Sequence, residues 1–134
     1  MSAARVLVFG TFDQLHPGHL FVLREAAARG GELFVVVSRD STTHRIKNRM
    51  PVQSEEERRL GVQAAIPRAT VLLGDRMDFL NPVRALKPDL ILLGYDQKLP
   101  PGVRMEDLPC PVERLSAHEA HRFKSSLFRK IAKK

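Results

Sequence analysis

The stretch RVLVFGTFDQLHPGHL at residues 5–20 constrains the fold more than any other part of the chain. Residues 5–9 read as a short strand, apolar without a break from residue 6, the pattern of a strand covered on both faces. Gly10-Thr11-Phe12-Asp13 reads as a turn, and Pro17 marks the first turn of a helix running to about residue 29. A strand that empties into a helix N-terminus is where α/β proteins hold phosphates, because the first helical N–H groups lack partners and carry the positive end of the dipole. His16 and His19 stand three apart at that mouth, so both imidazoles can face one small volume in front of the sheet. Gly10 ends the strand where the backbone must approach something closely, Asp13 offers a turn or cap acceptor, and Gly18 removes the side chain between the histidines. Each has an ordinary structural use. Their joint placement at one strand end is hard to explain by packing.

The pattern continues along the chain. The first helix would bury Leu20, Val22, Leu23, Ala26 and Ala27 and end at Gly30-Gly31, before a second apolar strand at 33–38. Strand, helix, strand at this spacing implies parallel pairing with a right-handed crossover. Residues 39–52, RDSTTHRIKNRMPV, show little apolar periodicity and read as a loop with room for a short helix. Lys47 and Arg49 are its candidate phosphate cations, while Arg39 and Arg45 fit a solvated loop better. Ser54, with Glu57 completing a capping box, would start a helix to about residue 65 whose apolar face is Leu60, Val62, Ala64 and Ala65. Arg58 is the member of this helix expected to point at the site.

A third strand at 70–73, a short helix from Asn81 or Pro82 to residue 86, and a fourth strand at 89–93 follow. The fourth ends in Gly94-Tyr95-Asp96-Gln97, a second strand emptying into a polar turn, which makes Asp96 a candidate for nucleotide recognition or for placing a metal. Residues 98–109, rich in proline, read as irregular, and 112–115 as an edge strand. Ser125 or Ser126 would cap a final amphipathic helix carrying Leu127, Phe128 and Ile131, presenting donors to the β- and γ-phosphates of a nucleotide. The succession predicts one α/β domain over residues 1–134, with a Rossmann-like, doubly wound, five-stranded parallel sheet in the order 3-2-1-4-5 between two helical layers.

Gly10-Thr11-Phe12-Asp13 with His16, Gly18 and His19 matches the GxFDxxHxGH signature, and the chain resembles the cytidylyltransferase-like nucleotidyltransferases. That superfamily includes glycerol-3-phosphate cytidylyltransferase, archaeal-type FAD synthetase, pantetheine-phosphate adenylyltransferase and nicotinamide-mononucleotide adenylyltransferase. Leu93-Gly94-Tyr95-Asp96-Gln97 is similar to the LGxDQ segment of FAD-synthetase-like members, which favours adenylyl transfer. Ser125-Ser126 matches the end of a further family motif, but Glu119 stands where the cytidylyltransferase version opens with arginine, so Arg122 or Lys124 would have to supply that charge.

The resemblance implies transfer of a nucleoside monophosphate from ATP to FMN with release of pyrophosphate. The alternatives are CTP with glycerol 3-phosphate or another alcohol or sugar phosphate, and a nucleotide-binding regulatory protein without turnover. It further implies His16, His19 and Lys47 as catalytic residues, and Gly10, Thr11, Phe12, Asp13, Gly18, Gly94, Asp96, Ser125 and Ser126 around the nucleotide. Arg49, Arg58, Arg122 and Lys124 would lie on phosphates. Mg2+ would accompany the nucleotide, held mostly by phosphates and water, with Asp13 or Asp96 as possible protein ligands. A homodimer is expected, with the apolar residues Leu72, Leu73, Met77 and Phe79 available to an interface or to the core.

Composition narrows the partners. Lys and Arg number 22 against 15 Asp and Glu, giving a net charge of +7 and an attraction for anions of any kind. Six of the basic residues fall between Arg122 and Lys134 with no acidic residue and no aromatic interleaving beyond Phe123 and Phe128, which suits a solvated basic face better than a nucleic-acid patch. No apolar run reaches membrane-spanning length and the N-terminus lacks a signal-peptide pattern, so a cytoplasmic location is expected. Cys110 is the single cysteine, in an apolar setting that does not activate a thiol.

Overall fold

Alternation along the central strand sets the architecture. In β1 (Arg5–Gly10), Val6 and Val8 enter one apolar cluster while Leu7 and Phe9 enter another, because successive side chains of a strand point to opposite faces. The computed structural model describes residues 4–116. Around β1 lie β2 (Glu32–Val37), β3 (Thr70–Leu73), β4 (Leu90–Leu93) and β5 (Val112–Arg114), in the order β3-β2-β1-β4-β5, with every neighbouring pair parallel.

The helices divide between the two faces. α1 (Pro17–Arg29) and α3 (Glu55–Ala65) deliver Leu23, Ala26 and Val62 to the cluster that holds Val6, Val8, Val35, Val37, Val71 and Leu92. On the other face, Val83 of α4 (Leu80–Leu86) and Leu108, which follows a 3₁₀ turn at Met105–Asp107, cover Leu7, Phe9, Val36, Ile91 and Leu93. This is the expected three-layer sheet with its expected strand order. β1 pairs with β2 from Arg5 opposite Glu32 to Gly10 opposite Val37, but with β4 only at Val6–Leu90 and Leu7–Ile91. The chain steps outward through β2 and β3 and then returns to β4, so the switch point, where such sheets bind ligands, lies between the diverging ends of β1 and β4.

The short helix for which residues 39–52 left room is Asp40–Lys47, α2, closed by Asn48 in the left-handed conformation at φ 55°. Its inward residue is Thr43, whose hydroxyl lies 2.8 Å from that of Ser38, so the helix is anchored by a polar contact that leaves no apolar period to detect. The apolar face assigned to α3 is too broad: Val62 is fully buried, but Leu60 is 54% exposed and Ala64 faces solvent as well. Of the four apolar residues open to an interface or to the core, Leu73 and Phe79 pack with the core, Phe79 meeting Phe9 edge-on at 4.6 Å, whereas Leu72 and Met77 are exposed. Among the described residues no helix is long and apolar enough to cross a membrane.

Burial separates two leucines that look alike in the sequence. Leu23→Ala, at a site with no exposure, should lower unfolding free energy by about 2–5 kcal/mol. Leu60→Ala should change it by no more than about 0.5 kcal/mol. Chemical denaturation of both variants reads the difference directly, and equal losses would refute this packing of α3.

Candidate functional site

The turn after β1 is tight because of Phe12. Its backbone is left-handed at φ 53°, unusual for a bulky residue, and its ring folds back into the core. A Cβ on Gly10 would stand 3.1 Å from that ring, tighter than an ordinary contact, so a larger residue there would press on Phe12. The ring also meets the His19 imidazole edge-on, with centroids 5.5 Å apart. Gln14 is left-handed too, at φ 50°, and between the two the Asp13 carboxylate accepts the N–H groups of Val52 at 2.8 Å and Gln53 at 2.9 Å. The Gln53 side chain returns the favour by accepting the N–H of Gln14. Asp13 is therefore a clamp between the β1 turn and the approach to α3.

The two histidines build the start of α1. His16 is the N-cap, and its Nδ1 accepts the N–H of Gly18 at 3.1 Å, while Nδ1 of His19 accepts the N–H of His16 at 3.3 Å. This is a capping box made of imidazoles in place of the usual hydroxyl and carboxylate. The rings stack with centroids 3.7 Å apart and planes 23° from parallel. Because Nδ1 of each ring uses its lone pair on a backbone N–H, the neutral ring must carry its proton on Nε2. The helix cap thus fixes the tautomer of both residues.

Lys47 reaches this mouth from α2. Its Nζ donates to the Thr11 hydroxyl at 3.2 Å, and the Ser38 hydroxyl approaches the same oxygen at 3.4 Å. Arg49 lies close enough for its charge to act on Asp13. Arg58, expected on phosphate, has a side chain with no exposure that donates to the carbonyls of Gln53 and Thr11 and to the carboxylate of Asp40, so it holds the turn in place. Arg39 is not a solvated loop charge, since it donates to the Gly74 carbonyl and to Glu55.

Across the switch point Gln97, the last residue of the LGxDQ-like segment, has a bridging role that its position in the sequence does not show. Its amide accepts the Gly94 N–H at 3.1 Å and donates to the Phe9 carbonyl at 2.6 Å, tying the ends of β4 and β1 together where their ladder has stopped. Arg114 of β5 donates to the carbonyls of Gly94 and Gln97 and so fixes the same turn. Gly94 is enclosed there, although a Cβ would meet only ordinary contacts, and Asp96 is exposed on the turn. No local pattern announces a glutamine that bridges strands so far apart in sequence. Ser125, Ser126, Arg122 and Lys124 lie outside the described residues. Cys110 packs against the second cluster, and burial pushes its thiol up, in keeping with an unactivated cysteine.

Residues 7–121 match the family described as Cytidylyltransferase-like. The chain is 43% identical over 135 residues to a FAD synthase of Methanospirillum hungatei, covering 96% of this chain and 85% of that protein. It is 46% identical over 105 residues to a FAD synthase of Methanosarcina mazei, covering 78% and 68% respectively. Among solved structures, the lipopolysaccharide core biosynthesis protein of Thermoplasma volcanium superposes with a TM-score of 0.74 at 34% identity, over 86% of this chain and 98% of that one.

The clamps carry a pH signature. Burial of Asp13 opposes ionisation, but the N–H groups of Gln53 and Val52, with the charges of Arg58 and Arg49, outweigh it and hold the carboxyl below its ordinary value. Glu55 is lowered chiefly by the Asp40 N–H and then by Arg39, against burial. A carboxyl whose folded pKa is depressed contributes stability that is present above its unfolded pKa, near pH 4, and is lost as pH falls through the lower folded value. Thermal midpoints should therefore drop on acidification below about pH 4. In Asp13→Asn the drop should be shallower, and parallel curves for the two proteins would contradict the clamp.

Proposed function

The chain belongs to the cytidylyltransferase-like family, and from that premise we propose that it is an enzyme that transfers AMP from ATP to FMN and releases pyrophosphate. The observation that carries this reading is the meeting of the stacked His16 and His19, the start of α1 and Lys47 at the end of one strand. Similarity to FAD synthases over most of the chain supplies the acceptor.

An FMN phosphate oxygen attacks the α-phosphorus of ATP. A new P–O bond forms as the bond to the β-phosphate oxygen breaks, and the electron pair leaves with pyrophosphate. Negative charge grows on the phosphoryl oxygens during this step, so what the protein must provide is positioned positive potential. The Nε2–H groups of His16 and His19 are donors of the right kind, already oriented by the bonds at Nδ1. The ammonium of Lys47 supplies a full positive charge where the triphosphate and the acceptor meet, and the first turn of α1 adds its dipole. No protein atom becomes covalently attached to the nucleotide.

Magnesium is expected with ATP, where it would neutralise phosphate charge while held mostly by phosphates and water. Both Asp13 oxygens already accept backbone N–H groups, which leaves the exposed Asp96 as the less engaged of the two candidate carboxylates. The Thermoplasma protein is named for lipopolysaccharide core biosynthesis, so a second acceptor class belongs in the assay, including CTP with glycerol 3-phosphate or sugar phosphates.

Pyrophosphate release with ATP and FMN, exceeding that with CTP or with the other acceptors, is the expected outcome; release only with another pair would replace the substrates. A second experiment separates cap from chemistry. Asparagine is a strong N-cap, so His16→Asn should keep the start of α1 and leave the thermal midpoint nearly unchanged while removing the ring donor. Turnover should fall roughly a hundredfold to a thousandfold with a small change in KM for ATP. A large rise in KM at unchanged kcat would show that His16 binds substrate and transition state alike.

A further inference from the structure

Two helices meet head to head beside the site. The first residue of α2 is Asp40 and the first of α3 is Glu55, and each carboxylate serves the other's helix. Glu55 accepts the Asp40 N–H at 2.9 Å, and Asp40 accepts the Glu55 N–H at 3.3 Å. Each therefore satisfies an N–H that its neighbour's own helix leaves unpaired, and each lies at the positive end of both dipoles. The second oxygen of each goes to an arginine: Glu55 to Arg39 at 2.9 Å, Asp40 to Arg58 at 2.6 Å. Arg39 Nε continues to the Gly74 carbonyl at the end of β3.

The path closes on Thr11. Arg58 donates to the Thr11 carbonyl at 2.8 Å, and at the far end of α2 Lys47 donates to the Thr11 hydroxyl. Midway, Thr43 bonds Ser38, whose hydroxyl approaches that same Thr11 oxygen. α2 is thus a strut of about 12 Å, held at both ends to one residue of the β1 turn. Its direction is set at the Asp40 end, and a small rotation there becomes a displacement of Lys47 at the other.

We propose that Glu55, held by Arg39, is a positioning residue for Lys47: the crossed carboxylates aim α2 so that the lysine arrives at the end of β1. Glu55 itself touches no reacting atom. This rests on the assignment of Lys47 to the phosphoryl-transfer step above, and the test has one arm that depends on turnover and one that does not.

The first arm is a double-mutant cycle on Glu55→Gln and Lys47→Ala, reading kcat and KM for ATP. A glutamine amide turned toward Arg39 presents donor to donor, so Glu55→Gln alone should reduce kcat about tenfold. In the Lys47→Ala background the same change should alter kcat by less than about twofold, because no lysine remains to be misplaced. Equal losses in both backgrounds would overturn the proposal. The second arm is amide hydrogen exchange in the two full-length proteins. Exchange in residues 43–47 should accelerate about tenfold in Glu55→Gln while β1 stays protected. Unchanged exchange in α2 would overturn the proposal even if no acceptor is turned over, an outcome that would separately defeat the functional reading. Arg39→Met, which leaves the crossed N–H bonds intact, guards against a folding defect. It should shift kcat and exchange in the same directions, and no shift in a folded Arg39→Met protein would also count against the proposal.

Discussion

Arg58 is a full positive charge with no solvent exposure, and a charge so placed is tolerable only if its donors are satisfied. Its guanidinium is planar and rigid, so the positions of its acceptors are dictated by one side chain. Those acceptors are the Gln53 carbonyl before α3, the Thr11 carbonyl after β1 and the Asp40 carboxylate at the start of α2. Three segments with no apolar reason to meet are thereby brought to one point. The β1 turn, with its left-handed Phe12 and Gln14, is held from the α3 side by Arg58 and by the Asp13 clamp together.

From that point the site assembles in two directions. Toward α1, the turn presents His16 and His19, which start the helix with their own rings and stack against each other. Toward α2, Thr11 receives Lys47, and the crossed carboxylates of Asp40 and Glu55 fix the helix that carries it. Across the crevice Gln97 joins β4 to β1 after their ladder ends, keeping the two strand ends at a set separation. The sheet itself contributes a rigid floor, since Leu7, Val8, Val35, Ile91 and Leu92 are almost wholly buried. The candidate groups on the turns and helix starts therefore rest on a closely packed sheet.

What was legible in the sequence follows the range of the interaction. The apolar runs of the strands, Pro17 at the start of α1 and the Ser54–Glu57 capping box are local patterns, and each element stands where it was expected. The spacing of His16 and His19 at the start of α1 is such a local pattern too, and the structure brings both rings and Lys47 to the end of β1. α2 was harder because its buried contact is the Thr43 hydroxyl, which leaves a polar sequence looking like a loop. The partner of Arg58 is not legible locally, because a guanidinium near a phosphate site and one buried against Asp40 are the same letters. The Arg39–Glu55 tie, the crossed N–H bonds and Gln97 depend on pairs far apart in the chain, and Leu60 shows that an apolar letter on a helix does not reveal which way the helix is turned.

The central claim is that the backbone bonds starting α1 also prepare its histidines for catalysis, by occupying Nδ1 and leaving the proton on Nε2 of both rings. Long-range ¹H–¹⁵N correlation spectra of histidine-labelled protein at neutral pH measure this tautomer at each ring. The account predicts that both His16 and His19 show an unprotonated Nδ1 and a protonated Nε2, before and after ATP is added. A proton on Nδ1 of either ring would contradict it, since that ring could neither cap the helix nor donate from Nε2 as a neutral imidazole.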